Sequence, residues 1–174
     1  MNKKSNKQLA KEIINREIAA LRRTTKLLDS KFERACEAIL SNKGKVITLG
    51  VGKSSFIAMK MAATLSSTGT AALFLHPLDA LHGDVGVIKK NDVVIIYSNS
   101  GETQEVIKLL PLLKLLKCCI ISITGNLSST LARYSKISLD ASVTREACPH
   151  NLAPTSSIIL SLIHISEPTR QSLI

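Results

Sequence analysis

One event occurs twice between Val46 and Glu105: an apolar run breaks into a Gly/Ser turn that opens a helix-forming stretch, in KVITLGVGKSS (residues 45–55) and again in DVVIIYSNSGETQE (92–105). Continuous apolar runs of strand length, joined by helical segments, describe strands buried on both faces and hence a parallel sheet with helices against each side. The turns also carry a chemical expectation. The first amides of a helix have no acceptor within it, and the helix dipole adds roughly half a positive charge there, so each turn predicts a seat for an anion. Two such seats in one sheet point to a small phosphorylated ligand.

Punctuation extends the pattern along the chain. A helix is expected from Asn6 to Leu28, with Ser5 and Gln8 as a capping box, and a second from Lys31 to Asn42, where Ser30 and Glu33 repeat that signature. Gly44 then releases the chain into a strand over Lys45–Leu49. Further strands are expected at Ala71–Leu75, Asp92–Tyr97 and Cys118–Ile123, with a short fifth at Ile137–Leu139 and helices in most of the gaps. The fold class is therefore α/β, a three-layer doubly wound sheet of about five parallel strands with N-terminal helices, whose ligands bind at the carboxyl ends of the strands. A length of 174 residues suits one such domain and is short for two.

The formal net charge of +10 raises the question of nucleic acid. Much of it lies in Lys3, Lys4, Lys7, Lys11, Arg16, Arg22, Arg23 and Lys26, spread over the first helix as a solvated face would be. With no Trp and few other aromatics there is no stacking platform for bases, so nucleic acid is not the expected partner, and with no apolar run of membrane-spanning length neither is a membrane. A positive field would still draw in anionic metabolites. Cys36, Cys118, Cys119 and Cys148 show no metal-ligand spacing, and the adjacent pair in KCCIISIT belongs to a buried strand, so no metal is expected. The start, MNKKSNKQLAKE, turns polar where a signal peptide turns apolar, and no apolar run reaches membrane-spanning length; a cytoplasmic location is expected.

Two familiar readings of Gly50–Ser54 fail on spacing. A Walker loop requires Gly five residues before Gly52, where Ile47 stands. A dinucleotide fingerprint requires a third Gly where Ser55 stands, and an acidic residue at the end of the following strand, where the chain reads Phe74 to His76. What remains is a hydroxyl-rich cradle: Gly52, Ser54 and Ser55 with the cation Lys53, and a companion turn of Ser98, Asn99, Ser100, Gly101 and Thr103. Each hydroxyl taken singly has an equal alternative as an ordinary helix cap; their density in both turns favours a ligand.

Four separated motifs, GVGKSSFIAMKMAATLSSTGT, HPLDALHGDVGVI, DVVIIYSNSGETQE and TREACPHNLAPTSS, occur in the order and at the spacing of arabinose 5-phosphate isomerases. Over about Lys43 to Ser157 the chain closely resembles these members of the sugar isomerase (SIS) domain superfamily. The resemblance implies cofactor-free interconversion of D-arabinose 5-phosphate and D-ribulose 5-phosphate for synthesis of Kdo, the eight-carbon sugar acid of Gram-negative lipopolysaccharide. It also implies a homo-oligomer, a tetramer, with sites built between subunits. An aldose–ketose shift through an enediolate needs a base for a carbon-bound proton, a cation or donor for the developing oxyanion, and a shuttle for hydroxyl protons. By resemblance Lys53, Glu105 and Glu146 occupy catalytic positions, and His82 in LHGD is a site residue. Beside these stand structural alternatives: Glu105 as a helix residue paired with Lys108 or Lys114, Glu146 as a loop charge, His76 as a strand-end residue.

After Ser157 the likeness stops. The family continues with small apolar residues and a Ser-His-Pro-Gly-Gly segment carrying another catalytic His, whereas this chain reads IILSLIHISEPTRQSLI. The expected division is a phosphosugar-binding domain over residues 1–160 and an aberrant, non-family tail over 161–174, in which His164 is no substitute for the family His. Larger relatives add a pair of cystathionine-beta-synthase-type domains. The alternatives to the isomerase are a non-catalytic phosphosugar sensor on the same fold and another sugar-phosphate or aminosugar-phosphate isomerase. The trio Lys53, Glu105 and Glu146 separates the first of these, since a sensor has no use for an enediol base.

Overall fold

The structure, a computed structural model, describes residues 5–144, 146 and 155–161. Cys148, His164 and residues 162–174 of the expected tail lie outside the described residues. The chain runs α1 (Asn6–Leu27), α2 (Ser30–Leu40), β1 (Val46–Gly50), α3 (Lys53–Ser67), β2 (Ala72–Phe74), α4 (Pro77–Leu81), a 3-10 turn (Asp84–Val87), β3 (Val93–Tyr97), α5 (Gln104–Leu116), β4 (Cys119–Thr124), α6 (Thr130–Tyr134) and β5 (Ile137–Asp140). A further helical turn covers 156–161. The five strands pair in parallel in the order β2-β1-β3-β4-β5.

Period-two alternation along the strands sorts their side chains into two core layers. Val46, Val93, Ile95, Ile121 and Ile137 pack with Ala35 and Ile39 of α2 and Ile57, Met61 and Leu65 of α3. Ile47, Leu49, Val94, Ile96 and Ile120 pack on the opposite face with Ala80 of α4, Leu109, Leu110 and Leu113 of α5 and Leu131 of α6. This is the expected three-layer sandwich, and burial on both faces explains why β3 reads as a continuous apolar run and β1 as one interrupted only by Thr48. Thr48, the polar residue within β1, stays dry by donating its hydroxyl to the Ala58 carbonyl at 2.7 Å, which pins α3 to the sheet.

The amino end of the sheet is held by one carboxylate. Asp92 accepts from the Lys45 amide at 3.0 Å and the Lys89 amide at 2.7 Å, and pairs with the Lys45 ammonium at 2.9 Å. Burial alone would raise its pKa, but these hydrogen bonds and the Lys45 charge hold it below the ordinary carboxylate value.

Helix starts differ in one place from expectation. Ser5 and Gln8 do form a reciprocal capping box on α1. On α2 the cap is Asp29 rather than Ser30: its carboxylate accepts from the Lys31 amide at 2.8 Å, while Ser30 is already helical. Asp and Ser are equally good caps, so sequence position alone could not choose between neighbours. β2 keeps three of five expected residues, as suits an edge strand paired on one side only. α1 has Thr24 as its sole buried residue, consistent with the solvated basic face. No helix among the described residues is long and apolar enough to cross a membrane.

Candidate active site

β1, β3 and β4 end side by side, with Gly50 opposite Tyr97 and Tyr97 opposite Ile123. The chain leaves β1 for β2 on one side and then crosses to β3 on the other, and such a reversal of strand order opens a crevice at the carboxyl ends. Here the crevice is a cleft of about 230 Å³. Its polar walls are Lys53 and Ser54 from the first Gly/Ser turn, Ser98 and Asn99 from the second, Thr124 after Ile123, Glu146, and Ser157 and Ser161 of the last helical turn.

The six helix starts differ in how they are capped. Of α1 to α6, four begin with a side chain accepting from a first-turn amide: Ser5, Asp29, His76 and Ser129. The two that rise from the Gly/Ser turns, α3 and α5, have no side-chain cap. Their hydroxyls are engaged elsewhere. Ser98 Oγ lies 2.8 Å from Thr103 Oγ1 and accepts from the Gly101 amide at 3.1 Å; Ser100 Oγ accepts from the Glu102 amide at 3.2 Å; Ser55 Oγ donates to the Gly52 carbonyl at 2.6 Å. None of these serines caps α3 or α5, although Ser98 and Ser100 satisfy amides within their own turn; on α3 the Ser54 and Ser55 amides fold back onto the Val51 and Gly52 carbonyls, and the first amides of α5 have no side-chain cap, beside a cleft lined by Lys53, Ser54, Ser98 and Asn99 of the two turns.

Two glycines make the turns possible. Gly52 has φ 58° and Gly101 φ 67°, conformations that L side chains rarely adopt. Their surroundings differ: a Cβ on Gly52 would meet open space, whereas one on Gly101 would collide with the Ser129 side chain. The second turn is further fixed from outside, because Glu102 Oε1 accepts from the Thr130 amide at 2.6 Å and Asn99 O accepts from the Gly125 amide at 2.9 Å.

Glu146 is the buried carboxylate of the cleft, 8% exposed. Its Oε2 accepts from the Thr155 amide at 2.8 Å, the Thr155 hydroxyl at 3.1 Å and the Ser157 amide at 3.3 Å. Burial would raise its pKa; the hydrogen bonds from Ser157 and Thr155 outweigh that and hold it below the ordinary glutamate value. It is thus ionised at neutral pH and ties the start of the 156–161 turn to the cleft. Lys53 is exposed at the start of α3 and makes no ion pair with a described residue.

The remaining expected residues are placed less centrally. Gly52, Ser55, Ser100, Gly101 and Thr103 build the two turns without lining the cleft themselves. Glu105 is half-buried in the first turn of α5, outside the cleft lining, and no ion pair joins it to Lys108 or Lys114; Lys114 instead sits 5.6 Å over the Tyr134 ring. His82 is exposed at the C-terminal cap of α4, outside the cleft lining of a single chain. His76 caps α4 through Nδ1, which accepts from the Leu78 amide at 3.3 Å, the structural alternative. Sequence reasoning missed Thr124 and Tyr97. Both end strands that run into the cleft, and the Thr-Gly-Asn after β4 is a third strand-to-turn signal like the first two.

A family model described as SIS domain matches residues 39–166. Among curated proteins, the arabinose 5-phosphate isomerase KdsD of Pseudomonas aeruginosa is 54% identical over 132 residues, covering 76% of this chain and 40% of that protein. KdsD of Francisella tularensis is 51% identical over 157 residues, covering 88% and 48%. The chain thus spans about half the length or less of these curated relatives. Among solved structures, E. coli CFT073 c3406 in complex with arabinose 5-phosphate superposes with a TM-score of 0.91 at 38% identity, covering 99% of this chain and 92% of that one. With the fold, the strand-end cleft and the two turns all in place, the chain belongs to the SIS domain family.

Proposed function

We propose that this chain is the catalytic domain of an arabinose 5-phosphate isomerase, interconverting D-arabinose 5-phosphate and D-ribulose 5-phosphate through an enediolate. The observation that carries the reading is a cleft lined by both Gly/Ser turns, from which the uncapped helices α3 and α5 rise, and which also holds a cation and a buried carboxylate. The identities to KdsD proteins, and a neighbour bound to arabinose 5-phosphate, support this substrate over other sugar phosphates.

In this reading the phosphate rests on the amides that open α3 and α5 and on the hydroxyls of Ser54, Ser98, Ser100 and Thr103, with the sugar chain extending over the cleft floor. Lys53 stabilises the oxyanion that develops as the carbonyl is enolised. Glu146, ionised and in the cleft, takes the C2 proton of the aldose and returns it to C1, so hydrogen moves within one molecule and no redox cofactor is needed. Glu105 is the second carboxylate assigned by resemblance. Exposed His82 reaches substrate only if another copy of the chain brings it to a neighbouring cleft, which fits assembly as a homo-tetramer. Location in the cytoplasm and a role in Kdo and lipopolysaccharide synthesis follow from the same reading.

The test is turnover of arabinose 5-phosphate by the purified chain beside Glu146→Gln and Glu105→Gln. Removing a catalytic base is expected to lower kcat by about 10²- to 10⁴-fold. Saturable binding of arabinose 5-phosphate with no turnover by the unsubstituted chain would overturn catalysis and leave a phosphosugar sensor.

A further inference from the structure

The floor of the cleft is apolar, formed by Ile57, Ile123, Ala141 and Ile158, with one exception, Tyr97. Tyr97 is the last residue of β3, immediately before Ser98, and its ring belongs to the same core layer as Ile57, Ile123 and Ala141. It is 2% exposed, yet its hydroxyl makes no hydrogen bond with a described residue. Tyr97 itself lines the cleft.

A tyrosine hydroxyl taken out of bulk water normally finds a partner. This one has none among the described residues, and its residue lines the ligand space. Burial also raises its pKa far above the ordinary phenol value, so at neutral pH it keeps its proton and can both donate and accept.

We propose that the Tyr97 hydroxyl is a specificity-determining group of the cleft, hydrogen-bonded to a hydroxyl of the bound sugar chain and taking no part in holding the phosphate. The assignment rests on the phosphosugar reading above. The phosphate seat lies at the turns, and Tyr97 supplies the one polar group on the floor over which the carbon chain extends. Phenylalanine at this position would fit the same space and leave a sugar hydroxyl facing hydrocarbon.

The experiment compares the full chain with Tyr97→Phe by calorimetric titration of arabinose 5-phosphate and, separately, of inorganic phosphate, with a thermal melt of each protein. Loss of one neutral hydrogen bond to the ligand is expected to weaken arabinose 5-phosphate binding by about tenfold. Inorganic phosphate affinity should be unchanged within about twofold, and the melting temperature unchanged or raised, because the hydroxyl has no partner among the described residues of the empty protein. Equal affinity of the two proteins for arabinose 5-phosphate would overturn the assignment while leaving the phosphosugar reading intact. An equal fall for both ligands would overturn it too, by showing a general disturbance of the cleft. An unsubstituted chain that binds phosphate but not arabinose 5-phosphate would overturn the phosphosugar reading, and this assignment with it.

Discussion

The two Gly/Ser turns look alike in sequence and are built differently. The turn over Ser98–Thr103 is cross-braced: two hydroxyls face each other, two amides are held by serine oxygens, and Glu102 docks the whole on α6. The turn over Gly50–Ser55 is held mainly by its own backbone, with the Ser54 amide on the Val51 carbonyl and the Ser55 amide on the Gly52 carbonyl, and it carries the cation. One turn is a preorganised cradle whose carboxylate, Glu102, is turned to α6, and the other an open loop with a cation. For a ligand with a fixed phosphate and a reacting carbon chain this is a division of labour, since preorganisation lowers the ordering cost of binding and a charge near the reacting carbon stabilises what develops there.

The largest expected effect separates charge from scaffold. Lys53→Met should lower kcat for arabinose 5-phosphate by about 10²- to 10³-fold, with a melting temperature within error of the parent because Lys53 pairs with no described residue. A fall in melting temperature as large as the fall in rate would break the comparison.

Next comes a matched pair of glycine substitutions. Gly101→Ala adds a left-handed strain and a collision with Ser129, and should destabilise the domain by about 2–4 kcal/mol. Gly52→Ala carries the strain alone, about 1–2 kcal/mol, because open space surrounds the new methyl group. Chemical denaturation of both variants measures the gap, and equal losses would mean that the two turns are equally braced.

Ser98→Ala removes a buried acceptor for the Gly101 amide and the partner of Thr103 Oγ1. A loss of about 1–2 kcal/mol in stability is expected, with weaker phosphate binding, against less than about 0.5 kcal/mol for Ser55→Ala on the half-exposed first turn.

The smallest effect is a pH dependence confined to the second turn. The Thr130 amide lowers the pKa of the exposed Glu102 carboxyl. A lowered carboxyl contributes fully above its unfolded value, about 4.3, and loses that contribution as pH falls through the folded value. Hydrogen exchange at the Thr130 amide, corrected for its intrinsic rate, should therefore lose protection below about pH 4 while amides of the first turn do not. Parallel loss at both turns would contradict the assignment of this brace.

Much of this was legible from the chain because the sheet is buried on both faces. Val93–Tyr97 announces itself as an unbroken apolar run and Val46–Gly50 as one interrupted only by Thr48, and their turns follow directly. Edges were less legible: β2 is short because only one side of it is paired, and the α2 cap fell one residue away among equivalent cap formers. The site was readable where it lies at the end of a strand and hard to read where long-range packing assembles it. Glu146 reads as a loop charge until Thr155 and Ser157 are seen to enclose it, and Asp92 reads as the start of a strand until Lys45, 47 positions away, is found on it. Tyr97 was invisible as a site residue because sequence cannot show that a core tyrosine lacks a partner.

The most direct test of the central claim, that the two uncapped helices seat one phosphosugar, is an amide chemical-shift titration of the chain with arabinose 5-phosphate. The amides opening α3 and α5 should shift together along one saturating curve, while the capped starts of α1, α2, α4 and α6 stay still. Saturable binding that leaves the α3 and α5 starts unmoved, or that moves the capped starts equally, would contradict it.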